Sequence, residues 1–361
     1  MAKLCPMTSS ITWPLILGKL VSGSDLNRAE AAWALYEIMT GKTQAGVIET
    51  FLVSLRHKGE SVEELSGLVD AMLTNSLKLE TGPDAVDIVG TGGDLLGTVN
   101  ISSMASILTA ASGVPVLKHG SRSASGKTGS AEMLEALGIR LDLTPAQVTQ
   151  VFKESGISFF FAQVFHPAMR FVAPIRKLLA IPTTFNFLGP LANPAQPIAT
   201  SLGVANRSIA PLMASELAAR GRTALVFRGN DGLDELSTTS NNEIWQVSGG
   251  VVSPSELNPT KLGLARAQTS QLIGGDAAEN AQVARDLFAG KTSGQLGAVR
   301  DIVLLNAAGG VVSYEMAKDS SKADVDLGIR FEDALQKVTL ALDSGSAESK
   351  LGEWISASTN A

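Results

Sequence analysis

The chain of 361 residues holds one cysteine, two tyrosines, three histidines, and aromatic residues at only 5% of positions. A single thiol, Cys5, cannot close an internal disulfide, which removes the usual staple of small secreted domains and makes a reducing cytoplasm the expected compartment. The histidines, His57, His119 and His166, show no metal-ligand spacing, so a zinc site has no support. Positive charge is also short, with 29 Lys and Arg against 35 Asp and Glu, a net charge of -6. A protein built to meet nucleic acid or an anionic membrane needs the opposite balance, so neither is expected as a partner. Any anionic ligand must then find a local basic pocket. No secretory leader is read either: Lys3 precedes a short apolar stretch at 15–17 that is interrupted by Pro6 and Pro14 and followed by no small-residue cleavage site. The longest charge-free runs, 95–117 and 178–206, carry Asn100, Pro182, Pro190, Pro194 and many hydroxyls, unlike a membrane span.

What is present points to a sizeable core, with 45% apolar residues, 35 glycines and 14 prolines, and the length suits about two domains. Residues 1–82 read as helices alone. Apolar positions recur three and four apart over 26–39, and again at Val47, Phe51, Leu52 and Leu55, with Gly59 as the stop. Ser61 and Glu64 form a capping box ahead of the apolar face of Leu65, Leu68, Val69 and Met72. From Ala85 the texture changes. Strands are expected at 86–89, 114–117, 157–162, 198–204, 223–227 and 243–247, with helices at 101–111, 145–155 and 209–220 between them. The pattern predicts an α/β domain over 83–361 with a mostly parallel central sheet covered by helices, beside a small all-helical domain. Packing helices are expected at 277–288, 298–305 and 331–342.

Four segments carry groups suited to chemistry. Gly90-Thr91-Gly92-Gly93-Asp94 stands at the carboxyl end of the first strand, ahead of a helix opened by Asn100, Ser102 and Ser103. Glycines let backbone N–H groups approach an anion, and a helix start adds free amides; a tight strand-to-helix turn would need the same residues. Leu95 occupies the last glycine position of the dinucleotide fingerprint, which argues against a nicotinamide cofactor. The second segment, 118–130, follows the next strand with three cations, three glycines and several hydroxyls, and suits either a phosphate-rich ligand or a solvated basic loop. Its Gly126-Lys127-Thr128 ending mimics a P-loop, but that motif needs glycine where Ser121 stands. Third, Asp234-Glu235 follows the turn residues 229–232, offering hard oxygens to Mg²⁺ or simply an acidic surface turn. Fourth, the helix-like stretch 166–177 holds Arg170 and Arg176, and Arg176 could grip a carboxylate bidentately or merely end a solvated helix.

Taken together these segments resemble the anthranilate phosphoribosyltransferases. The matching residues are Gly90 to Asp94 with Thr98, Asn100 and Ser102; Lys118-His119-Gly120 with Arg122, Gly129 and Ser130; His166-Pro167-Ala168-Met169; Asn186 to Pro190; Asp234-Glu235; and Gly274 to Asn280. The resemblance spans nearly the whole chain. It implies a homodimer joined through the helical part, a later helical segment near 178–198 that joins the small domain, and a site between the domains.

By the same resemblance, phosphoribosyl pyrophosphate would be held by three groups of residues. The glycine loop contributes Gly90, Gly93, Asp94 and Thr98, and the helix start Asn100, Ile101, Ser102 and Ser103. The second loop contributes Lys118, His119, Gly120, Arg122, Ser123, Ala124, Ser125, Gly126 and Ser130. Mg²⁺ would be held by Ser102, Asp234 and Glu235, and anthranilate by Gly90, Ser121, His166 and Arg176. No residue is implied as a general base. One departure stands out: the family usually has Asn after Lys-His-Gly, where this chain has Ser121. Two other readings remain, a pyrimidine nucleoside phosphorylase of the same fold, and a non-catalytic paralogue that binds nucleic acid. The glycine-loop sequence speaks against the first; the acidic balance and the retained Asp234-Glu235 speak against the second.

Overall fold

The computed structural model describes residues 11–123 and 127–361. The expectations placed on Lys3, Cys5, Pro6, Ala124, Ser125 and Gly126 lie outside the described residues. Two compact units divide the chain: one runs to Ser76 and takes in His166–Ala192, and the other holds Leu77–Phe165 with Asn193–Ala361.

In chain order, the first unit opens with α1 (Trp13–Val21), α2 (Arg28–Met39), α3 (Ala45–Lys58) and α4 (Val62–Thr74). The second follows with β1 (Val86–Gly90), α5 (Ile101–Ala111), β2 (Val116–Gly120), α6 (Ser130–Ala136), α7 (Pro145–Ser155), β3 (Ile157–Phe161) and the short α8 (Ala162–Phe165). The chain returns to the first unit with α9 (Ala173–Leu179) and α10 (Phe185–Leu188). It then completes the second with β4 (Ala199–Gly203), α11 (Ala210–Ala219), β5 (Thr223–Gly229), β6 (Asn242–Ser248), β7 (Val251–Leu257), α12 (Ala277–Phe288), α13 (Leu296–Lys318), α14 (Leu327–Asp343) and α15 (Ser346–Asn360).

Local chemistry sets several of these boundaries. The Glu64 carboxylate accepts the Ser61 N–H at 2.7 Å while the Ser61 hydroxyl accepts from Glu64, so both donors at the start of α4 are satisfied. Thr144 and Gln147 open α7 in the same way, and Gly156 closes it in the left-handed conformation that glycine adopts without cost. The segment that returns to the first unit runs over His166–Ala192, and its opening stretch is not one helix. It is a 3₁₀ turn (Pro167–Phe171) followed by α9, with Val172 and Ile175 buried. At the other end, the Asn193 carboxamide donates to Asp87 Oδ2 and to the Leu117 carbonyl, both at 2.8 Å, which fixes 193 in the larger unit.

The sheet order is β3-β2-β1-β4-β5-β6-β7, parallel from β3 to β5 and antiparallel at β6 and β7. The last strand was not anticipated; Gly249 and Gly250, both at positive φ, turn the chain in a two-residue hairpin, and Pro254 marks β7 as an edge strand. Helix α13 is far longer than the expected 298–305. Midway along it, a Cβ on Gly309 would lie 2.8 Å from Leu236 Cδ1 and one on Gly310 2.6 Å from Ile88 Cδ1, so the two glycines let the helix press onto the sheet. The helix is long and apolar enough to cross a membrane, but 78% of its most apolar window is buried in the protein, as in a core helix.

Candidate active site

Four parallel strands, β1, β2, β4 and β5, bring their carboxyl ends to one edge of the sheet, where open α/β sheets bind ligands. Gly90 and Gly203 end β1 and β4 side by side, and both face Asp234. A Cβ on Gly203 would come within 2.5 Å of the Asp234 carbonyl carbon, and one on Gly90 would lie 3.1 Å from its oxygen. Two bare strand ends therefore let the segment after β5 fold directly over them. Gly203 was not among the candidate residues; its signal was faint, a lone glycine within the expected strand 198–204.

Asp234 Oδ2 accepts the Gly92 N–H at 2.6 Å, and Glu235 Oε1 accepts the Ser102 N–H at the start of α5 at 3.1 Å. The carboxylates thus tie the glycine loop and the helix start together. From α13, Asn306 holds the same segment by accepting the Leu236 N–H and donating to the Leu236 carbonyl, each at 2.9 Å. Asp231 gathers the hydroxyls of Ser237 and Thr239. The turn-rich setting suggests an exposed pair, but Asp234 is 8% exposed and Glu235 half-buried, because the 229–242 excursion folds back on itself and against the strand ends.

Burial, with Asp94 nearby, pushes the Asp234 carboxyl up to about 7. Burial, then Asp234, raises Glu235 well above the usual carboxylate range, while Lys118 pulls it back. Burial also raises Asp94. Among the described residues no cluster of three or more His, Cys, Asp or Glu could hold a metal ion by itself. Two carboxylates and the Ser102 hydroxyl do fit an ion such as Mg²⁺, which takes few protein ligands and completes its octahedron with water and phosphate oxygens.

Lys118 and His119 need a second correction. They were expected on the basic loop, but β2 continues through Gly120 and buries both. The Lys118 amine, 1% exposed, donates to the Ile88 carbonyl at 2.5 Å and lies 3.3 Å from Ser102 Oγ. Burial lowers its pKa, opposed by Asp87 and Glu235. Asp87 itself was missed, hidden as one acid in an apolar run. It accepts the His119 N–H at 3.1 Å as well as Asn193, and burial lifts it to about 6 against the pull of Lys118.

Asn100 opens α5 without capping it. Its side chain instead donates to the Thr128 carbonyl at 3.2 Å and accepts from Asn280 at 2.8 Å. Ile101 and Ser103 point into the core, so toward a ligand they offer only backbone. Thr98 bridges to Ile273. Arg122 pairs with Glu135 at 2.7 Å and lies over the Phe161 ring, while the Ser123 N–H donates to Glu132. The Ser130 hydroxyl donates to the Ser121 carbonyl, and the exposed Ser121 hydroxyl to the Arg122 carbonyl at 3.0 Å. Gly120 is sterically required, since a Cβ there would lie 2.5 Å from Ser130 Oγ and 2.7 Å from the Phe159 ring.

In the helical unit, burial lowers the His166 imidazole to about 4, so it is neutral at physiological pH. Arg176 is half-buried with its guanidinium 5.7 Å from the centre of the Phe185 ring, and no carboxylate of the described residues pairs with it. This departs from a solvated helix end. Arg170 lies over Phe171, and His57 is exposed on α3.

Comparison with known proteins bears directly on this arrangement. Residues 14–76 match the helical bundle domain of a glycosyl transferase family, and residues 82–348 match the a/b domain of a glycosyl transferase family. The anthranilate phosphoribosyltransferase of Leifsonia xyli subsp. xyli is 48% identical over 351 residues, covering 97% of this chain and 99% of that protein. The chain belongs to the anthranilate phosphoribosyltransferase family. A second anthranilate phosphoribosyltransferase, from an Arthrobacter species, is 47% identical over 95% of both chains. The crystal structure of the anthranilate phosphoribosyltransferase of Thermus thermophilus is 36% identical, covers 95% of this chain and 99% of its own, and gives a TM-score of 0.85. The Saccharomyces cerevisiae anthranilate phosphoribosyltransferase in complex with PRPP and Mg is 26% identical, covers 98% and 99%, and also gives 0.85.

Proposed function

We propose that this member of the family transfers the phosphoribosyl group of phosphoribosyl pyrophosphate to anthranilate, giving N-(5-phosphoribosyl)anthranilate and pyrophosphate in tryptophan biosynthesis. The observation that carries this reading is the carboxylate pair Asp234 and Glu235, held by two strand-ending glycines against both the glycine loop and the start of α5. The donor lies along Gly90 to Asp94, Thr98, the α5 start and the loop that ends at Ser130. Mg²⁺ bound by Asp234, Glu235 and Ser102 would neutralise charge that builds on the departing pyrophosphate. Backbone N–H groups at fixed positions stabilise the same charge without reorganising, and so favour the transition state over the ground state. An aromatic amine is unprotonated at neutral pH and needs no strong base, so the chain's main task is to hold that nitrogen in line with the anomeric carbon.

Arg176 takes the anthranilate carboxylate in this scheme. A half-buried guanidinium that no carboxylate of the described residues pairs with suits the carboxylate of a ligand. Arg176→Lys is expected to raise the anthranilate KM roughly tenfold while sparing the donor, since a point charge replaces a bidentate fork; a rise in the donor KM alone would assign the arginine to the other substrate. His166 contributes a neutral imidazole, and Gly90 and Ser121 complete the acceptor set. Ser121 lacks the amide donors of Asn, so Ser121→Asn should lower the anthranilate KM by roughly two- to tenfold, the value of one neutral hydrogen bond. A second copy of the chain fits the helical unit, where Leu15, Val21, Tyr36 and Val53 stand exposed on α1, α2 and α3. The cytoplasm is the compartment that suits such a biosynthetic homodimer.

The deciding experiment follows anthranilate fluorescence with phosphoribosyl pyrophosphate and Mg²⁺. Loss of signal that requires all three components is expected. Cleavage of thymidine or uridine without anthranilate turnover would overturn the reading in favour of phosphorolysis, and a gel shift without turnover would favour nucleic-acid binding.

A further inference from the structure

Asn280 lies on the first turns of α12 and is 2% exposed. Its carboxamide closes a circuit. Oδ1 accepts the Gly275 N–H at 2.8 Å, and Nδ2 donates to Asn100 Oδ1 at 2.8 Å. Asn100 in turn donates to the Thr128 carbonyl at 3.2 Å, and the Thr128 hydroxyl donates to the Gly275 carbonyl at 2.9 Å, which returns to the starting segment. Three stretches distant in sequence meet in this ring: the start of α5, the loop after β2, and the segment that runs from Gly275 into α12.

The strap at 272–275 is pinned independently. Gly274 donates to the Gly97 carbonyl and Val99 to the Leu272 carbonyl, both at 2.9 Å, with Thr98 bridged to Ile273 between them. A Cβ on Gly274 would lie 2.9 Å from the Thr98 carbonyl, so the strap lies directly on the segment that leads into α5. Asp276 and Glu279 cap the helix reciprocally, which holds Asn280 at a fixed height. Both polar ends of the Asn280 carboxamide are therefore used, and each bond orients the next.

We propose that Asn280 is a positioning residue for the donor substrate: through the Asn100 and Thr128 ring it sets the spacing between the start of α5 and the loop after β2. This rests on the proposed function, in which those two segments grip phosphoribosyl pyrophosphate from different sides. A ligand held by two loops binds tightly only if their separation matches it beforehand.

The test uses Asn280→Ala, with Thr128→Val and Thr128→Ser as companions that keep α12 intact. Asn280→Ala and Thr128→Val should each raise the KM for phosphoribosyl pyrophosphate roughly tenfold and leave that for anthranilate within about twofold, while Thr128→Ser, which keeps the hydroxyl, stays near wild type. The double variant should be little worse than either single, because a ring opened once has nothing further to lose. Amide hydrogen exchange on the substrate-free protein should quicken in 98–103 and 127–131 together. Equal rises in both KM values, additive singles, or exchange that quickens in α12 alone would overturn the proposal. If the wild type shows no transfer at all, the functional reading fails, and the exchange measurement still decides whether the ring couples the two loops.

Discussion

Asp234→Asn combined with Glu235→Gln is expected to cut Mg²⁺-supported turnover by on the order of a hundredfold or more, roughly 3 kcal/mol in barrier, while the ion-free protein becomes at least as heat-stable as wild type. The two halves of this expectation have one cause. Three acids converge at the ends of β1 and β4, and Asp234 sits at about 7 against an ordinary 3.8. A carboxyl raised in the folded state adds no penalty below about pH 4; the penalty grows as the pH climbs toward 7, because the unfolded chain gives up its proton first. At pH 8 that cost is fully present, on the order of a few kcal/mol, and an amide removes it while still offering an oxygen to the Gly92 N–H. Melting curves at pH 8 with and without Mg²⁺, beside a turnover titration, check both halves. Near-normal turnover at low Mg²⁺ excludes the pair as metal ligands, and a large fall in the ion-free melting temperature excludes the electrostatic account.

Gly203→Ala is expected to be nearly as costly, although it adds one methyl group and no charge. The added carbon would overlap the Asp234 main chain, and that main chain has little freedom to retreat: Leu233 and Leu236 are buried, and Asn306 grips Leu236 from the other side. Either β4 or the carboxylate segment must shift by about an ångström, a misplacement that can cost roughly a hundredfold in rate. Overpacking should also remove about 1 to 3 kcal/mol of stability. The same change at Gly249, in the hairpin turn, meets no neighbouring atoms, and its left-handed backbone makes it a control for glycine strain alone. Turnover and melting temperature of the two variants separate the effects; an active Gly203→Ala would show that Asp234 tolerates displacement.

The helices with polar caps and regular apolar spacing were legible residue by residue. The capping boxes at Ser61 and Thr144 are there, and α5 and α12 run over the stretches their periodicity predicts. What escaped depends on contacts between distant segments. The full length of α13 depends on Gly309 and Gly310 fitting against Leu236 and Ile88, and the Lys118 amine looks solvated until Ile88 and Asp87 are known to surround it. Helix α15 was not read, since its buried Leu351 and Trp354 are scattered among polar residues. In the site, the glycine loop and the acidic pair declared themselves by residue type. Asp87 and Gly203 did not, because a single acid or glycine in a strand has no meaning without its cross-strand neighbour.

The neighbours of β1 arrive at very different times as the chain is synthesised. β2 follows within about 30 residues, but β4, which pairs along the whole other side of β1 from Val86 to Gly90, lies about 110 residues further on. Until β4 emerges, the apolar segment Val86, Ile88 and Val89 presents an open row of backbone donors and acceptors, the condition under which nascent chains pair with one another. The helices up to α4, made of local contacts, can form at once; the edge that carries Asp234 and Glu235 waits for residues as late as Asn306. A chain truncated between β3 and β4 is thus the form of this protein most in need of a chaperone.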